Sequence, residues 1–132
     1  KFYLEFAKES KDLNEGEERI YRNETENWEG IFTLQYYEHW FEEDGIIRYD
    51  SYHTAIPSIR YKKADIEDVG PITFEYKIGN MAGSSEGFRP DDEGYVNLGR
   101  GGGSGPIPDE NDKVHFTIKW GNREEELILD MD

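Results

Sequence analysis

Between Trp28 and Trp40 the apolar side chains fall on alternate positions. Trp28, Phe32, Leu34, Tyr36 and Trp40 share one parity with Gly30, and Thr33, Gln35 and His39 take the other. A period of two places successive side chains on opposite faces of an extended chain, so this spacing predicts a strand. Ile31, Tyr37 and Phe41 interrupt the polar parity and predict that parts of both faces are covered. Glu42-Glu43-Asp44-Gly45 carries turn chemistry, with Gly45 free to take positive φ, and Ile46 to Thr54 resumes a β-rich run, which together predict a hairpin. Pro57 predicts a break that leaves Ser58 to Lys62 as a short edge strand guarded by Arg60 and Lys62.

Further along, Ile72, Phe74, Tyr76 and Ile78 alternate with Thr73, Glu75 and Lys77, the pattern of a half-buried strand closed by Gly79-Asn80. Residues 80–92, with Gly83-Ser84-Ser85 and Pro90-Asp91-Asp92, read as loop, and Glu93 to Leu98 as another short strand. The last hairpin carries the strongest local signal. Val114, Phe116, Ile118 and Trp120 share a face, and Gly121-Asn122 suits a two-residue type I′ or II′ turn. That turn predicts Phe116 opposite Leu127 and Val114 opposite Leu129 in the core, with Lys119 opposite Glu124 outside. Residues 1–18 begin with Phe2, Leu4 and Phe6 and continue into an acidic stretch without period, which predicts a poorly ordered or peripheral arm. Residues 19–132 are then a single all-β domain.

Short strands at turn-punctuated spacing, with no amphipathic helix, predict an antiparallel β-sandwich of seven to eight strands, immunoglobulin-like but without its disulfide. The alternative is a small calycin-like barrel, because Trp28-Glu29-Gly30 opening a long first strand is loosely similar to lipocalin-type chains. A chain of 132 residues supports one core and hardly two. Nine Tyr, seven Phe and three Trp supply much of the apolar area.

Charge narrows the partners. With 30 acidic and 15 basic side chains the formal charge is −15, a field that repels nucleic-acid phosphates and anionic lipid headgroups. The same acidity also serves simply to keep a protein dispersed. No cysteine is present, which removes disulfides, thiolate nucleophiles and cysteine-based zinc or iron–sulfur sites. The sequence opens at Lys1 with no signal peptide and no long apolar run, so it reads as a processed piece.

Candidate chemistry is sparse. Gly99-Arg100-Gly101-Gly102-Gly103-Ser104-Gly105 resembles a phosphate cradle only in glycine content, because Pro106-Ile107-Pro108 and a strand follow where a phosphate loop needs a helix. A flexible connection, or a close approach of two backbones, explains the glycines as well. Asp91, Asp92, Asp109 and Asp112 lie in acidic loops where a hard cation such as calcium would find ligands; solvated turns are the simpler account of them. His39, His53 and His115 show neither metal-ligand spacing nor a Gly-x-Ser-x-Gly partner, so no catalytic residue is assigned. Tyr36, Tyr37, Trp40, Tyr49 and Tyr52 would form an aromatic surface for a sugar, peptide or protein, with Arg100 beside it in the glycine-rich loop; cross-strand packing is the simpler use of the rings.

Taken with these residues, the chain resembles a loose group of small predicted extracytoplasmic lipoproteins of Gram-positive bacteria. The likeness covers roughly residues 24–130. It rests on Glu26-Asn27-Trp28 entering the long strand, on the glycine run at 101–103 followed by Gly105-Pro106-Ile107-Pro108, and on the closing Phe116-Thr117-Ile118-Lys119-Trp120-Gly121-Asn122 hairpin with Glu125 or Glu126 after it. That group has no assigned biochemical activity. What the resemblance implies is a domain at the cell surface, anchored to the membrane through an N-terminal lipidated cysteine that precedes Lys1, with the acidic arm as spacer.

The resulting expectation is a non-enzymatic, cell-surface binding or structural domain for a protein, a peptide or a cell-wall component, and not for nucleic acid. A calycin-like carrier of a small apolar ligand and a calcium-dependent interaction module are the alternatives.

Overall fold

The computed structural model describes residues 2–5 and 13–132 and is all-β. Its strands are β1 (Phe2–Glu5), β2 (Leu13–Glu24), β3 (Trp28–Glu43), β4 (Ile46–Tyr61), β5 (Ile72–Ile78), β6 (Met81–Phe88), β7 (Tyr95–Val96), β8 (Gly101–Ser104), β9 (Val114–Trp120) and β10 (Arg123–Met131). One turn of 3-10 helix, Ile66–Asp68, joins β4 to β5. All pairings are antiparallel. The strands follow the order β6-β5-β9-β10-β2-β3-β4-β7, with β1 added to β2 and β8 added to β4. This single ten-stranded sheet curls until it is nearly closed as a barrel.

Alternation explains the strands that carry the core. Trp28, Phe32 and Leu34 of β3 are fully buried, as are Phe74 of β5 and Phe116 and Ile118 of β9. Phe116 meets Phe74 edge-on at 4.8 Å between ring centroids and Phe32 at 6.3 Å. At one end of the barrel Trp28 packs between Tyr61, 5.1 Å away, and Trp120, 5.3 Å away. These offset and edge-to-face contacts add to the area they bury. Gly30 on β3 makes room for this cluster: a Cβ there would sit 3.0 Å from the Phe116 ring and 3.2 Å from Leu127.

The final hairpin has the expected register, Phe116 opposite Leu127, Val114 opposite Leu129 and Lys119 opposite Glu124. Gly121 at φ 56° opens its turn, and Asn122 is not left-handed, the pattern of type II′. The β3–β4 turn at Asp44 (φ 52°) and Gly45 (φ 78°) is of type I′.

Three expectations need correction. Pro57 does not interrupt its strand, since β4 runs unbroken past it with Pro57 opposite Phe32. The amide of Tyr61 donates away from β3, to the Gly94 carbonyl at 2.8 Å, and a period of two turns Pro57 nitrogen to the same side. There β7 reaches only Ile59 and Arg60, and β8 only Tyr52 to Ala55, so Pro57 faces a gap where no donor is required. Second, β4 is therefore no edge. Third, residues 81–88, expected as loop, form strand β6 against β5, and the glycine run forms β8 against β4. Their glycine and serine content hides the alternation on which strand assignment relies. In the span expected to be an arm, β2 starts at Leu13 and pairs with β3 from Glu17, while residues 1 and 6–12 of that span lie outside the described residues.

Candidate functional site

The sheet fails to close along one line. On one side of this seam, β6 pairs only with β5; on the other, β8 pairs only with β4. Each strand therefore turns an unpaired row of backbone N–H and C=O groups toward the other, and the Ser85 hydroxyl donating to the Leu98 carbonyl at 3.4 Å is the hydrogen bond found across the gap among the described residues.

Two cavities occupy the seam. The first, about 180 Å³, is lined by Pro57, Phe74, Tyr76, Leu98, Arg100 and small residues of both edges. The second, about 380 Å³, is lined by His53, Tyr76, Met81 and the backbone from Gly101 to Pro106. Tyr76, Gly83 and Gly101 line both, so the two cavities adjoin along the seam.

Small residues create this opening by letting Tyr76 lie flat across the edge. Tyr76 stands directly opposite Gly83, and a Cβ at Gly83 would fall 2.4 Å from its ring. The ring packs on Phe32 at 5.0 Å, and burial raises the phenol pKa. Gly102 on the other edge lets β8 approach β4, since a Cβ there would sit 3.1 Å from the His53 carbonyl. The glycine run is thus a place of close backbone approach, one of the two uses its composition suggested.

His53 is the polar group most constrained by the seam. It stands opposite Tyr36 on β3 and Gly103 on β8, and its buried Nδ1 has no hydrogen-bond partner. Burial lowers its pKa, so the neutral imidazole is favoured. Nearby, the Arg19 guanidinium lies 4.7 Å over the Tyr36 ring and donates to the Pro108 carbonyl at 2.7 Å. This end of the barrel is polar where the Trp28 end is aromatic.

Of the residues singled out from sequence, Arg100, His53 and the glycine run lie at the seam, Arg100 exposed and, among the described residues, without an ion pair. The aromatic residues do not form one surface. Tyr36 is buried beneath Arg19, while Tyr37, 2 % exposed, stacks on Tyr52 at 5.2 Å on the opposite face of β3. Trp40 and Tyr49 share the face of Tyr36 but lie farther along the hairpin, 4.6 Å apart. Adjacent residues of a strand point to opposite faces, so the run Tyr36-Tyr37 had to divide.

The aspartates act within their own loops. Asp91 accepts from the amides of Glu93 and Tyr95, both at 2.9 Å. Asp109 accepts from the Asn111 amide at 2.8 Å, and Asp112 accepts from the Asp109 amide at 3.1 Å. Asp92 is exposed beside Asp65, Glu67 and Asp68. Among the described residues no three His, Asp or Glu side chains converge in the manner of a metal site.

A larger concavity, about 880 Å³, lies elsewhere, on the outer face of β5, β6, β9 and β10. Its His115 Nδ1 is 3.4 Å from a Glu126 carboxylate oxygen, but both side chains are about half exposed or more, so the pair is weak.

Sequence reasoning missed Tyr76, Gly83 and His53 as site residues because nothing local marks them. The usable signal was the excess of glycine and serine in two separate segments, which permits edges without predicting that they meet. Compared with protein-family models, curated proteins and solved structures, the chain matches none.

Proposed function

We propose that this chain is a non-catalytic binding domain that takes an extended polypeptide segment into the seam between β6 and β8. A single observation carries the reading: two unpaired strand edges face each other across a pair of adjoining cavities that the side chains leave unfilled. A segment added there gains main-chain hydrogen bonds from one or both edges, and alternate side chains enter the cavities. Tyr76 and Leu98 offer apolar contact, the His53 ring lines the second cavity, and Arg100 at the mouth suits a carboxylate on the ligand. Glycine on both edges keeps side chains out of the way of the added strand.

The test exploits the absence of native cysteine. In Ser85→Cys with Gly101→Cys, two positions that line the first cavity from its two edges, oxidation staples the seam. Peptides of twelve residues selected from a displayed random library against the native protein bind the reduced double variant and are excluded from the oxidised form. Their binding slows hydrogen exchange of β6 and β8 edge amides. Equal binding by the oxidised form, or protection confined to other strands, would overturn the reading.

A carrier of a small apolar ligand draws support from the 380 Å³ cavity, which lies within the range of small-molecule sites. The barrel interior itself is filled with aromatic rings, so such a ligand would be confined to the same seam. As to place, the resemblance to surface lipoproteins supports an extracytoplasmic, lipid-tethered domain. Palmitate labelling of the full-length precursor in a Gram-positive host, lost when any cysteine upstream of Lys1 is replaced, tests that tether.

A further inference from the structure

The β3–β4 hairpin outruns its neighbours. The ladder from β2 ends at Tyr36 on β3, and the ladder from β8 ends at Tyr52 on β4, yet the two strands remain paired to Glu43 and Ile46. Among the described residues the stretch from Glu38 to Asp50 pairs with no third strand and forms a two-stranded arm. Such ribbons are marginal alone, and this one is held by Trp40 against Tyr49, by His39 stacked on Phe41 at 5.3 Å, by the Tyr49 hydroxyl donating to Glu38 at 2.5 Å and by a two-residue turn.

Its tip is apolar on both faces. Trp40 is 68 % exposed and Ile47, diagonal to it on the same face, 71 %; Ile46, on the other face with Phe41, is 56 % exposed. A sheet that serves one flat interface needs only one apolar face. A wedge with two needs to be surrounded, which means a pocket.

Charge selects what surrounds it. Between Glu38 and Asp50 the arm carries Glu38, Glu42, Glu43, Asp44 and Asp50 against Arg48 alone, and Arg48 already lies 3.6 Å from Glu43. A second copy would bring its own −15 and its own acidic tip to the contact. A bilayer would have to admit Glu42, Glu43 and Asp44 first, since they stand at the turn. We infer that the tip of the β3–β4 arm docks into an apolar pocket rimmed by lysine or arginine on a partner protein. Trp40, Ile46 and Ile47 supply the apolar contact, Glu38 and Asp50 behind them face the basic rim, and the turn carboxylates, which enter first, meet basic groups inside the pocket.

Trp40 reports the event, because Trp28 and Trp120 are buried. The native protein is titrated with a helical leucine–lysine peptide, with its leucine–glutamate counterpart, and with phosphatidylcholine vesicles. Tryptophan emission and acrylamide quenching are followed, and sedimentation velocity is recorded over a hundredfold range of protein concentration. The lysine peptide is expected to shift Trp40 emission to the blue and to halve its quenching at least, with affinity falling about tenfold from 50 to 500 mM salt as the charges are screened. The glutamate peptide and the vesicles are expected to leave emission unchanged. Ile46→Ser with Ile47→Ser, whose exposed positions leave the melting temperature unchanged, loses the shift while keeping Trp40. A shift retained in that double variant would reduce the contact to general attraction by an acidic protein. A shift with vesicles would assign the tip to a membrane, and dimerisation lost in the double variant would assign it to a second copy; any of the three overturns the proposal.

Discussion

The β9–β10 hairpin and the β6–β8 seam are built from the same antiparallel strands, yet one is the firmest part of the sheet and the other its opening. Along β9 every second residue is a large apolar side chain, and Val114, Phe116 and Ile118 are fully buried. A one-residue slip there would turn all of them to solvent, so register and core enforce each other. Along the middle of β6, residues 82–85, and along β8 the side chains are only those of glycine, alanine and serine, and these two stretches have little to interdigitate. Backbone pairing to β5 and β4 survives, because it needs no side chain. Closure between the two edges does not. The difference teaches that in this barrel side-chain volume, more than hydrogen-bonding capacity, decides which edges join.

Three changes would break or sharpen that contrast. The largest effect is expected for Phe116→Ala, which removes the ring shared by Phe32, Phe74 and the Gly30 recess. Chemical denaturation should show a loss of about 3–5 kcal/mol, and a loss below about 1 kcal/mol would mean that the aromatic cluster does not hold the closed side.

A smaller loss is expected at the seam. Gly83→Val forces the Tyr76 ring aside, but the ring lies at a solvent-connected cavity and can swing into it. Denaturation should therefore record about 1–3 kcal/mol, and peptide binding at the seam should fall with it. A crystal structure of the variant with Tyr76 unmoved would contradict the packing described.

The smallest effect is a pH dependence. His53 has its folded pKa depressed by burial below the ordinary value of 6.5, so the unfolded chain takes up the proton first. The group costs nothing above pH 6.5, and stability declines as pH falls from there toward the folded pKa. Below the folded value the loss is complete and its contribution to the slope ends. Melting temperature measured from pH 8 to pH 5 should show this decline, and His53→Gln should flatten it; an unchanged slope would place the proton uptake elsewhere. Tyr37 offers the converse at high pH. Burial, then Tyr52 and Asp50, push its phenol up to about 12, so it stays neutral while ordinary tyrosines ionise.

What was legible in the sequence follows from local physics. Alternation from Trp28, from Ile72 and from Val114 requires extended chain with one face inward, and Asp44-Gly45 and Gly121-Asn122 require the tight turns that set register. The β9–β10 pairing could therefore be written residue by residue before any coordinates. The tertiary structure alone decided the rest. Gly83-Ser84-Ser85 and Gly101-Gly102-Gly103 have no side-chain period, and their strands exist because β5 and β4 present free edges to them. Pro57 stays within a strand because its nitrogen faces a gap between two short neighbours, which no window of sequence contains. His53, Tyr76 and Arg100 come together only when the curl of the sheet brings its two ends face to face. Trp40 and Ile47 carry the same alternating signal as the core and remain exposed because β2 and β8 end before reaching them. Local sequence sets which way a side chain points; only the length and order of distant strands sets whether anything is there to meet it.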